Sequence, residues 1–401
     1  MEGFFKESQI AKEPERRKLR GCGACKLYKG CLSPRMQATG RGHRSIMFLA
    51  EAPGADEDRR GKQLVGKAGQ VLRKELRRQG FDLDDDCIKI NAVNCRPPKN
   101  RTPKPTEIDA CRPMVWKAIE EHKPHIIIPL GGTAVSSLIG GRWKKELDGI
   151  TKWRGWNIPD RELGAWICPT YHPSFLLHDN GTTAAEVLFK DDLERALALT
   201  EKDFPKWKDE VQYVELMKKP KAIKRYLRHL FEDEVPVVAL DYETTGLKPH
   251  KKGHRIVSCA ISEGRKHAVA FPFLEEIEEL FIDFLRYKWI RKIAANIPFE
   301  QLWSMVLLDT RVRGWAWDPM QAAHVLDNRR GITSVKFQTY VNFGVIDYAS
   351  HIEPFLEGVD EKDGNSFNRI DECDEDELLT YNGLDALYEI WLARRQKKVI
   401  G

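Results

Sequence analysis

Residues 235–247 read VPVVALDYETTGL. An apolar, β-branched run that ends in Thr-Thr-Gly is a buried strand running into a turn. Side chains two apart on a strand share a face, so Asp241 and Glu243 project together. Two carboxylates held side by side are what a hard divalent cation asks of a protein. HRIVSCAISEG (254–264) and KHAVAFPF (266–273) read as two further strands, after which helical patterns dominate. Among those, AANIPFEQLW (294–303) supplies Asn296 and Glu300, and YNGLDALYEIWLARR (381–395) supplies Tyr381 and Asp385. Positions four apart share a helix face, so Tyr381 and Asp385 can enter one site. Taken singly, each is a polar strand edge or an exposed helix face. Together, Asp241, Glu243, Glu300 and Asp385 would hold two Mg2+ or Mn2+ ions about 3.5–4 Å apart, the arrangement that hydrolyses phosphodiesters.

Upstream the pattern changes. Strand candidates SIMFLAEAPG (45–54), CIKINAVN (87–94), HIIIPLGG (125–132) and AWICPTYHP (165–173) alternate with helix-like stretches at 68–80, 105–122 and 184–200. Such alternation predicts an α/β layer on a largely parallel sheet, with ligands beyond the carboxyl ends of the strands. Between Lys202 and Lys224 lies a stretch rich in Lys, Asp, Glu and Pro, read as the linker, so the domains are expected at 1–204 and 205–401.

The 401 residues leave room for two or three domains at roughly 150 residues each, and exclude a peptide hormone or a small disulfide scaffold. Hydrophobic residues at 42% and charged residues at 31% are ordinary globular composition, with no apolar run long enough to span a bilayer. The start has no uninterrupted apolar core of a secretory signal, so a cytoplasmic protein with no membrane partner is expected. A net charge of +5 permits DNA as a partner without demanding it. Nine cysteines are the more pointed observation, because a reducing compartment leaves free thiols or metal ligands to explain them. Cys22 and Cys25 form a C-x2-C pair with Cys95 and Cys111 far downstream, a set that suits zinc or an iron-sulfur cluster. Cys31 is a spare that could replace one ligand, while Cys87, Cys168, Cys259 and Cys373 read as small buried hydrophobes.

The blocks AEAPGADED (50–58), GKQLVGKAG (61–69), NAVNCRPPKNRTPKPTEIDAC (91–111), LGGTA (130–134) and YHPSFLL (171–177), in that order, resemble the family 4 uracil-DNA glycosylases. The resemblance spans about residues 22–177. It implies a parallel-sheet α/β/α sandwich in which Cys22, Cys25, Cys95 and Cys111 ligate a 4Fe-4S cluster, and it is this likeness that favours iron-sulfur over zinc. It further implies that Asn91 reads the edge of a flipped uracil and that His172 donates to the charge developing on the departing base. Glu51 and Glu57 match carboxylates near the water and sugar, and Pro53 and Gly54 shape a turn that lets backbone approach the DNA. Two departures stand out. Gln63-Leu64 replaces the family's Pro-Phe, which puts Leu64 where an aromatic ring stacks on the base, and Ala50 replaces a Gly.

Residues 235–395 resemble the DEDDy 3'-5' exonucleases, in particular the proofreading domain of family A DNA polymerases, which implies an RNase H-like fold. Asp241, Glu243 and Asp385 match its metal ligands, and Tyr381 matches the tyrosine that orients the attacking water. Glu300 departs by one methylene from the family's Asp. Leu247 matches a wedge against the terminal base, and Asp318 and Asp327 read as structural. The combined expectation is a DNA-processing protein of two α/β domains: a two-metal 3'-5' exonuclease fused to a domain that excises or recognises uracil or a modified base. The order of modules resembles phage replication polymerases, which implies a separately encoded DNA polymerase as partner and a bacterial host cytoplasm. The alternatives are an exonuclease subunit whose first domain only binds DNA, and a non-catalytic docking module.

Overall fold

The computed structural model describes residues 22–143, 147–178, 183–206, 213–264, 266–360 and 362–401. Its contacts divide the chain into two compact units, Met1–Phe204 and Pro205–Gly401.

In the first unit, strands β1 (Ile46–Ala50), β2 (Cys87–Asn91), β3 (Ile126–Pro129), β4 (Ile158–Asp160) and β5 (Ala165–Ile167) form one sheet in the order β2-β1-β3-β5-β4. The first four neighbours run parallel and β4 closes the edge antiparallel to β5. β1 is buried along its whole length, as a central parallel strand covered on both faces must be, which is why it reads as an unbroken apolar run. Ile46, Phe48, Ile126 and Ile128 pack with Leu72 and Leu76 of helix Lys67–Arg78 and with Phe189 and Leu193 of helix Thr183–Leu197. Helix Pro105–His122 starts with Pro at its first position, where no amide is needed, and the Glu107 carboxylate accepts from Lys104 N at 2.8 Å.

The second unit has strands β6 (Tyr213–Leu216), β7 (Val237–Thr244), β8 (Ile256–Ser262), β9 (His267–Pro272), β10 (Arg291–Ile293) and β11 (Trp315–Trp317), ordered β11-β10-β7-β8-β9-β6. β7, β8 and β9 form an antiparallel meander, and the outer strands join it parallel. The linker expected up to Lys224 is shorter than the sequence suggested. Residues 213–216 pair with β9 as β6, and helix Pro220–Glu232 follows at once. Its alternating Tyr-Val-Glu-Leu was masked by lysine-rich flanks, and an edge strand needs only one paired side. β6 matters to the site, because helix Glu375–Ile400 passes so close to it that a Cβ on Gly383 would lie 2.3 Å from Val214 Cγ1. That helix begins on an Asp374 cap that accepts from the amides of Asp376 and Glu377, and it covers one face of the sheet through Leu379, Ala386, Ile390 and Ala393. Among the described residues no helix is long and apolar enough to cross a membrane.

Candidate functional sites

In the second unit the β7 pleat and the C-terminal helix bring ligand oxygens of Asp241, Glu243 and Asp385 within 4.8 Å of one another. Both β7 carboxylates face the helix, where Asn382 Nδ2 donates to Asp241 Oδ2 at 2.6 Å and its own oxygen accepts from Ser258 Oγ of β8. Burial, then the like charge of Asp385, pushes the Asp241 carboxyl well above its usual range, and burial with Asp241 and Asp385 does the same to Glu243. The offsetting cation from the protein is Lys336, on helix Val335–Phe343, whose Nζ also pairs with Glu353 at 3.0 Å. Three crowded carboxylates, Glu243 and Asp385 buried and Asp241 half-buried, fit a divalent cation, and its binding would release the protons that crowding and burial favour.

Glu300 sits in the first turn of helix Ile297–Leu307, buried, and its Oε2 has no hydrogen-bond partner among the described residues. Burial and the charge of Asp241 raise its carboxyl, and it stands outside the converged triad. Tyr381 is buried with its ring stacked 6.2 Å from that of Tyr348. Tyr348, which sequence reasoning missed, donates its hydroxyl to Asp385 Oδ1. Asp318 is structural, capping helix Pro319–Leu326 and accepting from Asn296 N and Ile297 N, and Asp327 is held by Arg329. The turn after Glu243 is braced by Asn368, which donates to Thr244 O, and by Asn365, which accepts from Lys248 N. Leu247 between them is 67% exposed.

In the first unit the predicted residues gather beyond the carboxyl ends of the parallel strands. Ala50 pairs with Asn91 in the β1–β2 register, so Glu51 and Asn91 leave the sheet side by side. Thr133, in the helix Gly132–Leu138 after β3, donates to Glu51 Oε2 at 3.1 Å. Burial outweighs that bond and raises the Glu51 carboxyl. Gly131 has a left-handed φ of 83° and lies so near the His172 loop that a Cβ would stand 3.1 Å from His172 Cβ. His172 Nδ1 lies 2.7 Å from Ser174 Oγ and accepts from Ser174 N at 3.2 Å, which leaves the proton on Nε2. Burial pulls its pKa down to about 4, so at neutral pH it is an uncharged donor. Asn91 is 2% exposed and its Nδ2 is a buried donor with no partner among the described residues. The loop bearing His172 is anchored by Asp192, which accepts from Thr170 Oγ1 at 2.9 Å and from Arg154 Nη2 at 2.6 Å.

Glu57 lies near enough for its charge to act on His172, and it also fixes a turn. Its Oε1 accepts from Val65 N at 3.1 Å and Gly66 N at 2.7 Å, which fixes the turn that follows Leu64. Gly54, after Pro53, lets Glu57 lie close, since a Cβ there would stand 2.7 Å from Glu57 Oε2 and push that carboxylate aside. Gln63 is swallowed, accepting from Thr39 Oγ1 and donating to Gln37 O. Leu64 is 5% exposed and joins the core with Phe48 and Leu72, leaving little surface for a base to lie on, and the Ala50 methyl packs in that same core.

Because His172 is neutral down to about pH 4, protonation of this side chain is not expected to break activity near the usual histidine value of 6.5. The depressed value means the unfolded chain takes up the proton first, so His172 costs stability as pH falls from about 6.5 towards 4. An NMR titration of its ring carbons that gives a midpoint below 5 is the expected result.

Cys95 and Cys111 are buried against Val93 and Ile108, with Cys25 and Cys31 packed alongside. Cys95 Sγ accepts from Arg35 N at 3.2 Å, and Cys111 Sγ accepts from Asn94 N at 3.3 Å. Burial pushes these thiols up to about 12 and about 11, with the charges of Cys25 and Cys22 acting on Cys111. Backbone amides aimed at buried sulfur fit thiolates held by a positive metal centre. Cys31 also acts on Cys95, while its own thiol donates to Leu27 O at 3.3 Å. Cys87, Cys168 and Cys259 are buried and Cys373 is half-buried.

A parallel α/β sheet with these residues at its strand ends is the architecture of the uracil-DNA glycosylase superfamily, whose family model matches residues 38–197. More narrowly, the chain belongs to the type-4 uracil-DNA glycosylases. It is 36% identical over 188 residues to the type-4 uracil-DNA glycosylase of Thermotoga maritima, covering 46% of this chain and 93% of that one. A second such enzyme, from Saccharolobus solfataricus, is 38% identical over 165 residues, with 40% and 74% covered. The DNA polymerase of Bacillus phage SP01 is 28% identical over 332 residues, which span 73% of this chain and 34% of that one. Among solved structures, Escherichia coli RNase D is similar at TM-score 0.35 and 12% identity, with 47% of this chain and 45% of that chain covered.

Proposed function

We propose that the chain processes DNA at two sites: a two-metal 3'-5' exonuclease in the second unit and a base-recognising, base-excising pocket in the first. The convergence of Asp241, Glu243 and Asp385 carries the exonuclease reading. Two bound divalent cations would supply an activated water and a stabilised leaving oxygen at the scissile phosphate. The residues do the rest. Asn382 fixes the Asp241 carboxylate, Tyr348 orients Asp385, and Tyr381 lies beside them where it can position water. Leu247 offers an apolar edge against a terminal base.

In the first unit Asn91 reads the base through its unpartnered amide, His172 donates from neutral Nε2–H to the departing base, and Glu51 takes the proton of the attacking water. Leu64 withholds aromatic stacking worth about 1–3 kcal/mol per base, so excision is slower than with an aromatic floor by about ten- to a hundred-fold. Cys22, Cys25, Cys95 and Cys111 hold a 4Fe-4S cluster whose role is structural, tying the segment before β1 to helix Pro105–His122. The likeness to a phage DNA polymerase supports a replication setting, with a polymerase as the partner. A gel assay of one uracil-containing oligonucleotide, with its 3' end either free or blocked, tests both activities at once. Shortening from a free end that requires Mg2+ or Mn2+ reports the exonuclease, and alkali-labile breaks at uracil in the blocked strand report excision.

A further inference from the structure

The helix face that delivers Tyr381 and Asp385 carries a third polar residue one turn on, Glu389, which neither the metal-ligand pattern nor the triad includes. It is 1% exposed. Its Oε1 accepts from Ala295 N at 2.8 Å, at the start of the turn that leads into Glu300's helix. The other side of that turn is held by Asp318, so two carboxylates clamp the backbone from which Glu300 projects. Glu389 Oε2 has no hydrogen-bond partner among the described residues, and neither has Glu300 Oε2. Two buried carboxylates, each with an orphaned oxygen, are expensive unless a positive charge enters between their elements.

The converged triad leaves Glu300 outside its circle. A second cation served by Glu300 alone would depend on a single protein carboxylate beyond the shared Asp241, on a side chain one methylene longer than its family's. Glu389 supplies what is missing, from the helix that already anchors Asp385. Resting on the two-metal reading above, we propose that Glu389 is a fifth carboxylate of the centre. With Glu300 it holds the second divalent cation, while Asp241, Glu243 and Asp385 hold the first.

The test is Mn2+ binding to the full-length chain, followed by electron paramagnetic resonance into the millimolar range without DNA, for wild type, Glu389→Gln, Glu300→Gln and Asp241→Ala. Gln keeps an oxygen for Ala295 N and nearly the same volume, and retention of the first Mn2+ shows that the variant is folded. The wild type is expected to bind two ions. Glu389→Gln and Glu300→Gln should each weaken the second by about 10- to 100-fold and leave the first within about 2-fold. Asp241→Ala should lose both. If the wild type binds two ions and Glu389→Gln binds both unchanged, the proposal is overturned while the metal centre stands. Loss of both ions in Glu389→Gln, or a wild type that binds one ion only, overturns it equally. A wild type that binds none removes the two-metal reading itself.

Discussion

Asp241→Ala is expected to lower metal-dependent 3'-end degradation by about a thousand-fold or more, equivalent to roughly 4 kcal/mol of transition-state stabilisation. Asp241 is the member of the centre whose charge reaches Glu243, Glu300 and Glu389 alike, so no neighbour can replace it. The same substitution should make the metal-free protein more stable. Burial and like-charge crowding raise these carboxyls above their unfolded values, so the folded state binds the extra protons. Their contribution is present at low pH and is lost as pH rises through the raised values. In EDTA the wild type should therefore lose stability as pH rises, Asp241→Ala should lose less, and Mn2+ should restore the wild type alone. Denaturant titrations at two pH values, with and without Mn2+, read all of this. A carboxylate centre that gains stability when one charge is removed is the signature of charges gathered for a ligand.

Cys95→Ala or Cys111→Ala is expected to have the largest effect on the first unit. Each removes a buried sulfur that accepts a backbone amide, from Arg35 and Asn94 respectively, and with it a proposed cluster ligand. The purified variants should lack iron, acid-labile sulfide and the broad visible absorption of an iron-sulfur protein. The unit should lose about 4 kcal/mol or more of stability, the range reached when a structural metal is lost. Cys87→Ala is the control. Its sulfur lies buried in the β1–β2 core far from that cluster in function, so the colour should persist and the cost should be about 1 kcal/mol. Colourless wild-type protein that contains zinc would remove iron-sulfur from the account and keep the ligand set.

Much of this was legible in the chain because regular elements broadcast their faces. The period of two in VPVVALDYETTGL put Asp241 and Glu243 on one side of β7, and the four-residue spacing of Tyr381 and Asp385 put both on one side of the C-terminal helix. Asn382 and Glu389 were carried by that same helix and were open to the same argument, but an amide or a carboxylate on a long polar-flecked helix signals nothing until its partner is known. Tyr348 and Lys336 reach the centre from segments whose local pattern says nothing about β7, and only the packing of helix Val335–Phe343 brings Lys336 there. In the first unit the strand-end rule located Glu51, Asn91 and His172 together. It did not show that Glu57 spends an oxygen on Val65 and Gly66, or that Leu64 turns into the core, because both follow from a turn with Leu64 at a left-handed φ of 54°.

The most direct test of a two-site DNA-processing chain is the fate of a single uracil-containing strand whose 3' end is either free or blocked. With the end free, Mg2+ or Mn2+ should produce stepwise shortening and 5'-mononucleotides, absent in EDTA and absent from Asp241→Ala. With the end blocked, the strand should stay full length until alkali cuts it at uracil, with or without added cation. A free 3' end left intact by the wild type at millimolar Mg2+ and Mn2+ would contradict the account.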